Sequence, residues 1–246
     1  MDIAGTTAFV TGARGGIGRC FVAALLKRGA RRVYAADMVG KDDTAADARV
    51  VSVDLDITDE VAVARAAQSA PDVQILINNA GVNLRAPFIA APSMASARRE
   101  IETNYLGTLA MCRAFAPVLG QHRQSSGGAI VNVASILGKV TLPNLGSYCA
   151  SKAALLRLSE GVRAELAAQK THVVLILPWA VDTVMSGPFA GSKTPPEEVA
   201  ERALDAVAAG DDDVLLHDYS VELERRLRTD PKELEKELAA TFRSAP

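Results

Sequence analysis

The chain has 246 residues, 49% of them hydrophobic and 23% charged, the balance of one soluble globular domain of a size normal for an α/β fold. A formal net charge of -2 and an aromatic content of 4%, with no long basic run, leave no footprint for nucleic acid. No apolar stretch reaches the ~18 residues that a membrane helix needs, so no membrane partner is expected.

The first residues, "MDIAGTTAFVTGA", run into a strand pattern without a basic leader, which predicts a cytoplasmic protein. Cys20, Cys112 and Cys149 are scattered and odd in number, as reduced thiols are, and neither they nor His122, His172 and His217 have metal-ligand spacing. No metal is expected.

In chain order, "TTAFVTG" reads as a short buried strand, followed by a turn holding Gly12, Gly15, Gly16 and Gly18. "IGRCFVAALLKRG" has apolar residues at helical spacing and ends at Gly29. "RRVYAAD" is a second strand ending in Asp37, and "DARVVSVDLD" a third. "TDEVAVARAAQSA" is a helix with Thr58 as the expected N-cap. "DVQILINNAG" is a fourth strand that breaks at Asn78, and a long helical region covers about 93–119. "GGAIVNVAS" is a fifth strand, and the next helix runs to about Gln169. "THVVLILP" is a sixth strand, "PPEEVAERALDAVAAG" a helix with proline and acids in its first turn, and "DVLLHD" a seventh strand. Strands that alternate with helices, most of them continuous apolar runs, mark a doubly wound parallel sheet of about seven strands covered on both faces. The expected organisation is one α/β domain over 1–246, with about 219–246 a charged helical tail, either docked or frayed.

A strand, a glycine turn and a helix leave free backbone N–H groups and a partial positive charge at the helix start, which suits a pyrophosphate. Gly12, Gly16, Ile17 and Gly18 form this junction, with Arg14 inside the turn. Asp37 ends the next strand about twenty residues on, where a carboxylate can accept the ribose hydroxyls of NAD and repel a phosphate. Further along, "GSYCASKAAL" puts Tyr148 and Lys152 one helical turn apart on one face. Alone, such a pair is ordinary helix surface. As a site it makes chemical sense, because a phenol with a pKa near ~10 needs a neighbouring positive charge to act as a base near neutral pH.

Taken together, "TGARGGIG", "NNAG", a serine thirteen residues before the tyrosine, and "YCASK" resemble the short-chain dehydrogenase/reductase family in order and spacing. The resemblance spans Thr11 to Thr183, about 70% of the chain. It implies a three-layer Rossmann fold, a nicotinamide cofactor, a small alcohol or carbonyl substrate, and hydride transfer between the two. By the same resemblance, Tyr148 is the acid/base, Lys152 lowers its pKa and holds the nicotinamide ribose, and Ser135 binds the substrate oxygen. Asn104 in "ETNYLG" matches the asparagine that supports a water chain from the lysine. Asp56 and Ile57 match the adenine contacts, and Asn79, Ala80 and Gly81 lie where the backbone passes the cofactor, while Asn78 supports the sheet. Pro178, Val181 and Thr183 match the nicotinamide end. The family forms homodimers or homotetramers through its long helices, and the same is expected here.

Asp37 favours NAD. Arg14 stands one place before the position at which NADP-preferring relatives carry a basic residue, and Met38 adds no charge, so NADP is the less favoured cofactor. Two departures from the family matter. "LPWAVDT" has Trp179 where relatives carry glycine, and only about a dozen residues separate Thr183 from the helix at Pro195, where many relatives have a longer lid. The expected activity is NAD-dependent oxidation of a secondary alcohol or reduction of a ketone. The alternatives are an NADPH-dependent carbonyl reductase of the same fold and a catalytically silent cofactor-binding regulator, the latter suggested by Trp179 alone.

Overall fold

The computed structural model describes residues 1–38, 47–125, 127–187 and 189–243. Seven strands form one parallel sheet: β1 (Thr7–Thr11), β2 (Arg32–Asp37), β3 (Val50–Asp54), β4 (Ile75–Asn78), β5 (Gly128–Val133), β6 (Thr171–Pro178) and β7 (Asp213–Leu216). Their order across the sheet is β3-β2-β1-β4-β5-β6-β7. The strand order therefore reverses between β1 and β4, and the crevice at their carboxyl ends is where this architecture binds ligands.

Five strands are buried along nearly their whole length, as their continuous apolar sequences dictate. The edge strand β3 differs: Val51 and Ser52 are exposed, because no further described strand covers it. One face of the sheet packs Phe9, Leu76 and Ile130 against Phe115, with the Phe9 and Phe115 ring centroids 4.8 Å apart. The other packs Val10 and Ile77 against Leu25 and Leu204. Truncating a fully buried ring such as Phe115 to alanine costs about 3–5 kcal/mol.

The helices are α1 (Gly16–Lys27), α2 (Glu60–Ser69), α3 (Ala95–Ile101), α4 (Thr108–Gly120), α5 (Gly146–Leu166), α6 (Pro196–Ala209), α7 (Asp218–Thr229) and α8 (Pro231–Arg243). One expectation needs correction. The N-cap of α2 is Asp59, not Thr58: the Asp59 carboxylate accepts from Val61 and Ala62 N–H, while Thr58 is turned back onto Asp56. The long helical region expected over about 93–119 is present, and a π-helical stretch, Glu102–Gly107, joins α3 to α4 within it. Such wide turns interrupt helices mostly at functional sites.

The tail is docked. Leu223 on α7 and Leu234 and Leu238 on α8 are buried against Ile136 and Leu137, and Lys139 pairs with Glu224 at 2.8 Å. The final residues 244–246 of the expected tail lie outside the described residues. No described helix is long and apolar enough to cross a membrane.

Candidate active site

The carboxyl ends of β1, β2, β4, β5 and β6 open into one cleft of about 1020 Å³. At one end lies the glycine turn. A Cβ on Gly18 would run into the Gly12 carbonyl oxygen, and one on Gly16 would sit 2.6 Å from the Thr183 methyl group. Only glycine lets α1 start this close to β1 and lets the loop after β6 fold over its first turn. No acidic residue stands in that first turn and no side chain caps it, so its N–H groups and the helix dipole face the cleft uncompensated.

Asp37 is buried at the end of β2, where its carboxylate accepts from Arg14 N–H at 3.0 Å and Met38 N–H at 2.8 Å. The Arg14 guanidinium folds over the same corner. It donates to the Met38 carbonyl at 3.3 Å and to Asp54 at 3.1 Å, while its buried Nε–H has no partner among the described residues. Asp54 is thus an ion-pair partner of the turn. Asp56 instead accepts from Thr58 N–H at 2.9 Å and the Thr58 hydroxyl at 2.8 Å, and these bonds hold its carboxyl below its ordinary value. Ile57 is buried beside it, against Gly107.

Asn79 ties the fourth strand to the first turn, donating from Nδ2 to the carbonyls of Thr11 and Gly12 at 3.0 and 3.1 Å. Ala80 N–H donates to the Thr11 hydroxyl, which lays Ala80 and Gly81 along the cleft. Asn78 donates to Asn132 at 2.8 Å inside the sheet, as its sheet-supporting role requires. A cradle of this shape and length, with a bare helix N-terminus at one corner and a buried carboxylate at the next strand, fits a dinucleotide.

At the other end stand Ser135, Tyr148 and Lys152, all buried. Ser135 lies two residues past the end of β5, donates to the Pro178 carbonyl at 3.3 Å and accepts from Leu137 N–H at 3.1 Å. Lys152 donates to the Val133 carbonyl at 2.9 Å, and its Nζ lies 5.7 Å from the centre of the Tyr148 ring. Burial pushes the Tyr148 phenol well above its ordinary value, and the Ser135 hydrogen bond works against that shift. Burial also brings Lys152 down to about 8. Desolvation is thus the largest influence on both groups in this cleft.

Asn104 lies in the π-helical stretch. Its side chain accepts from Val82 N–H at 2.8 Å and donates to the Val82 carbonyl and to Ser151, each at 2.9 Å. It braces the loop after Gly81 against α5 and makes no direct hydrogen bond to Lys152. Val181 accepts from the Thr183 hydroxyl at 3.4 Å and also from Ser186, so the loop after Pro178 is folded on itself over the cleft.

Several residues here escaped the sequence reading. Glu100 is wholly buried, accepts from Leu84 N–H at 2.7 Å and from the Ser147 hydroxyl, and so ties the cleft loop to the start of α5. Its signal was its place one turn before Asn104, on the same helix face. Tyr219 and Leu238 reach the cleft from the tail, for which no local pattern exists.

The sequence model of the family described as "short chain dehydrogenase" matches residues 6–193. Cis-4-hydroxycyclohexanecarboxylate dehydrogenase of Sinomonas cyclohexanicum is 37% identical over 72% of this chain and 73% of its own. A short chain dehydrogenase from Burkholderia cenocepacia J2315, solved in complex with NADP, is 43% identical over 100% of both chains with a TM-score of 0.92. A short chain dehydrogenase/reductase from Burkholderia phymatum, solved in complex with NAD, is 26% identical over 95% of this chain and 96% of its own with a TM-score of 0.84.

Proposed function

This chain belongs to the short chain dehydrogenase family, and we propose that it moves a hydride between a secondary alcohol or ketone and NAD, with Tyr148 as the acid/base. One observation carries this reading: Ser135, Tyr148 and Lys152 converge at one end of a cleft whose other end is the glycine turn and Asp37. When bound, the nicotinamide supplies or accepts the hydride. The remaining work falls to the chain. The first turn of α1 holds the pyrophosphate, Asp37 the adenosine ribose, and Asp56 and Ile57 flank the adenine. Asn79, Ala80 and Gly81, with Pro178, Val181 and Thr183, hold the nicotinamide half. Ser135 donates to the substrate oxygen, and Tyr148 gives that oxygen a proton in reduction or takes one in oxidation. Lys152 supplies positive charge beside the phenol and holds the ribose, while Asn104 fixes the loop and helix that frame it.

The pH dependence follows from the two shifts. Tyr148 is protonated through the neutral range, and Lys152 is charged below about 8 and loses its charge above it. Ketone reduction, which consumes a proton, is expected to be fastest below that pH and to fall above it. Oxidation needs the phenolate, so it gains nothing from the loss of the Lys152 charge and is expected to rise only at higher pH, as Tyr148 loses its proton. A pH–rate profile in both directions checks this. The defining experiment is a panel of secondary alcohols and ketones followed by nicotinamide absorbance with both cofactors. No turnover on any of them with either cofactor would remove the reading.

NADP has its own support in the buried Arg14 Nε–H, which meets no partner among the described residues, and in the 43% identical relative bound to it. On that second reading Arg14 receives the extra phosphate and Asp37 only braces the turn. The ratio of kcat/KM for the two cofactors decides between them. Self-association through α4 and α5 and a cytoplasmic location complete the proposal, and light scattering tests the first of these.

A further inference from the structure

The substrate half of the cleft is walled by rings that distant parts of the chain supply. Trp179 follows Pro178, whose carbonyl accepts the Ser135 hydroxyl, and its ring packs against the apolar cluster that holds Tyr148. Tyr219, on the first turn of α7, meets the Trp179 ring with centroids 4.6 Å apart and planes at 65°. Phe189 meets it from another side at 5.6 Å and 84°. These are the tilted arrangements that aromatic rings prefer. All three line the same cleft as Tyr148, together with Leu142, Leu145 and Leu238.

Two observations mark the wall as a binding surface. Tyr219 and Phe189 stay 39% and 37% exposed although each has a ring neighbour, so apolar surface remains open there. Moreover, His217 holds a φ of 80° and a ψ of 137°, a left-handed conformation that strains a bulky residue by about 1–3 kcal/mol. Its Nδ1 accepts from Tyr219 N–H at 3.1 Å, and its Nε2 meets the Ser192 hydroxyl at 3.1 Å. The strained residue therefore caps α7 at the one turn that aims Tyr219 at Trp179. Strain of this kind persists where the surrounding structure holds a site in place.

Charge is scarce at this end. Of the charged residues lining the cleft, Asp37, Asp56 and Arg99 belong to the opposite end, and Lys152 lies beneath Tyr148. Arg85 is exposed at the mouth, donating to the Met185 carbonyl at 2.9 Å. A carboxylate or a polyol chain stacked on the ring faces themselves would lose its hydration there without gaining a charged partner.

From this we propose that the substrate is an uncharged ketone or secondary alcohol carrying an apolar ring, which packs on Trp179 and Tyr219 while its oxygen reaches Ser135 and Tyr148. The proposal rests on the hydride-transfer reading above, and it makes the C-terminal helices part of the substrate site. Trp179 is the only tryptophan of the chain, so its emission reports on the wall directly. The full-length Tyr148→Phe protein with oxidised cofactor is titrated with acetophenone while that emission is followed. In parallel, wild-type reduction of acetophenone is compared with that of butanone and acetylbenzoate. The expected result is a saturable emission change and a kcat/KM for acetophenone at least about tenfold above the other two. Tyr219→Ala should cut that ratio about tenfold, and Tyr219→Phe, which keeps the ring, should hold it. Equal or better turnover of butanone or acetylbenzoate, with no saturable emission change, would overturn the ring proposal and leave hydride transfer standing. A saturable emission change with no turnover of any carbonyl would sink the hydride-transfer reading, and the wall would remain a ring-binding surface.

Discussion

The two ends of the cleft are built by different means. The glycine-turn end is made of backbone: N–H groups of α1, the close approach of Gly16 and Gly18 to their neighbours, and carbonyls bonded by Asn79. Its glycines lie within one short turn of the chain and tolerate little change, because no side chain can be trimmed to relieve a clash of a Cβ at Gly18 with the Gly12 carbonyl. The far end is made of side chains from separate segments: Ser135 and Tyr148, then Trp179, then Tyr219 and Leu238 of the tail. Such a wall can change its lining without changing its frame. The contrast suggests that cofactor binding is fixed by the fold, and substrate choice by a few replaceable side chains.

Substitutions at each end can break or sharpen this contrast. The largest expected effect is on chemistry alone. Tyr148→Phe keeps the packed ring and removes the proton, so kcat should fall by about 10²–10⁴-fold while cofactor affinity, measured by titration calorimetry, stays within about threefold. Near-normal turnover in that protein would remove the acid/base assignment. Gly18→Val drives a side chain into the Gly12 carbonyl and should weaken cofactor binding by about 100-fold or more, leaving little change possible by compensation. If affinity survives, the turn is not the cradle described. A smaller effect is expected for Asp37→Ser combined with Met38→Arg, which exchanges a carboxylate for a cation at the ribose corner. The ratio of kcat/KM for NADP over NAD should rise by about tenfold or more. A wild-type preference for NADP would instead hand the corner to Arg14.

The smallest expected effect is on stability without cofactor. Lys152 is a cation buried in an apolar wall, its pKa lowered from 10.5 to about 8 by desolvation. Below about pH 8 it is charged both folded and unfolded, and the cost of burying that charge is fully present. As pH rises from about 8 to 10.5 the folded lysine has lost its proton before the unfolded one, so the cost fades. Lys152→Met should therefore stabilise the apo protein by about 1–2 kcal/mol at neutral pH, with the gain shrinking toward pH 10. Chemical denaturation at the two pH values measures it. A gain that does not depend on pH would mean that the lysine's charge is not what is being relieved.

The same contrast governs what could be read from the sequence. The parallel sheet, the glycine turn and the helix that holds Tyr148 and Lys152 are local patterns, and each stands where periodicity and punctuation put it. Thr58 and Asp59 are adjacent N-cap formers, and only the bond of Thr58 to Asp56 decides between them. Glu100 sits in "RREIE", which reads as a solvated face; its burial follows from the Leu84 and Ser147 partners that only the folded chain brings to it. The shift of Tyr148 follows from desolvation, which spacing along a helix does not report. The contact of Tyr219 with Trp179 joins residues forty positions apart and depends on the unusual backbone of His217. A histidine at positive φ leaves no trace in composition or period.

Both ends of the cleft are proposed to serve one step, hydride transfer with Tyr148 at the substrate oxygen. The most direct test uses a secondary alcohol deuterated at its carbinol carbon, incubated with cofactor and either wild-type or Tyr148→Phe protein, with the nicotinamide then analysed by mass spectrometry. Deuterium should appear in the reduced nicotinamide with wild-type protein and be reduced by at least about 100-fold with Tyr148→Phe, although that protein still binds cofactor. Equal label in both proteins, or none in the wild type across the panel of alcohols, would contradict the account.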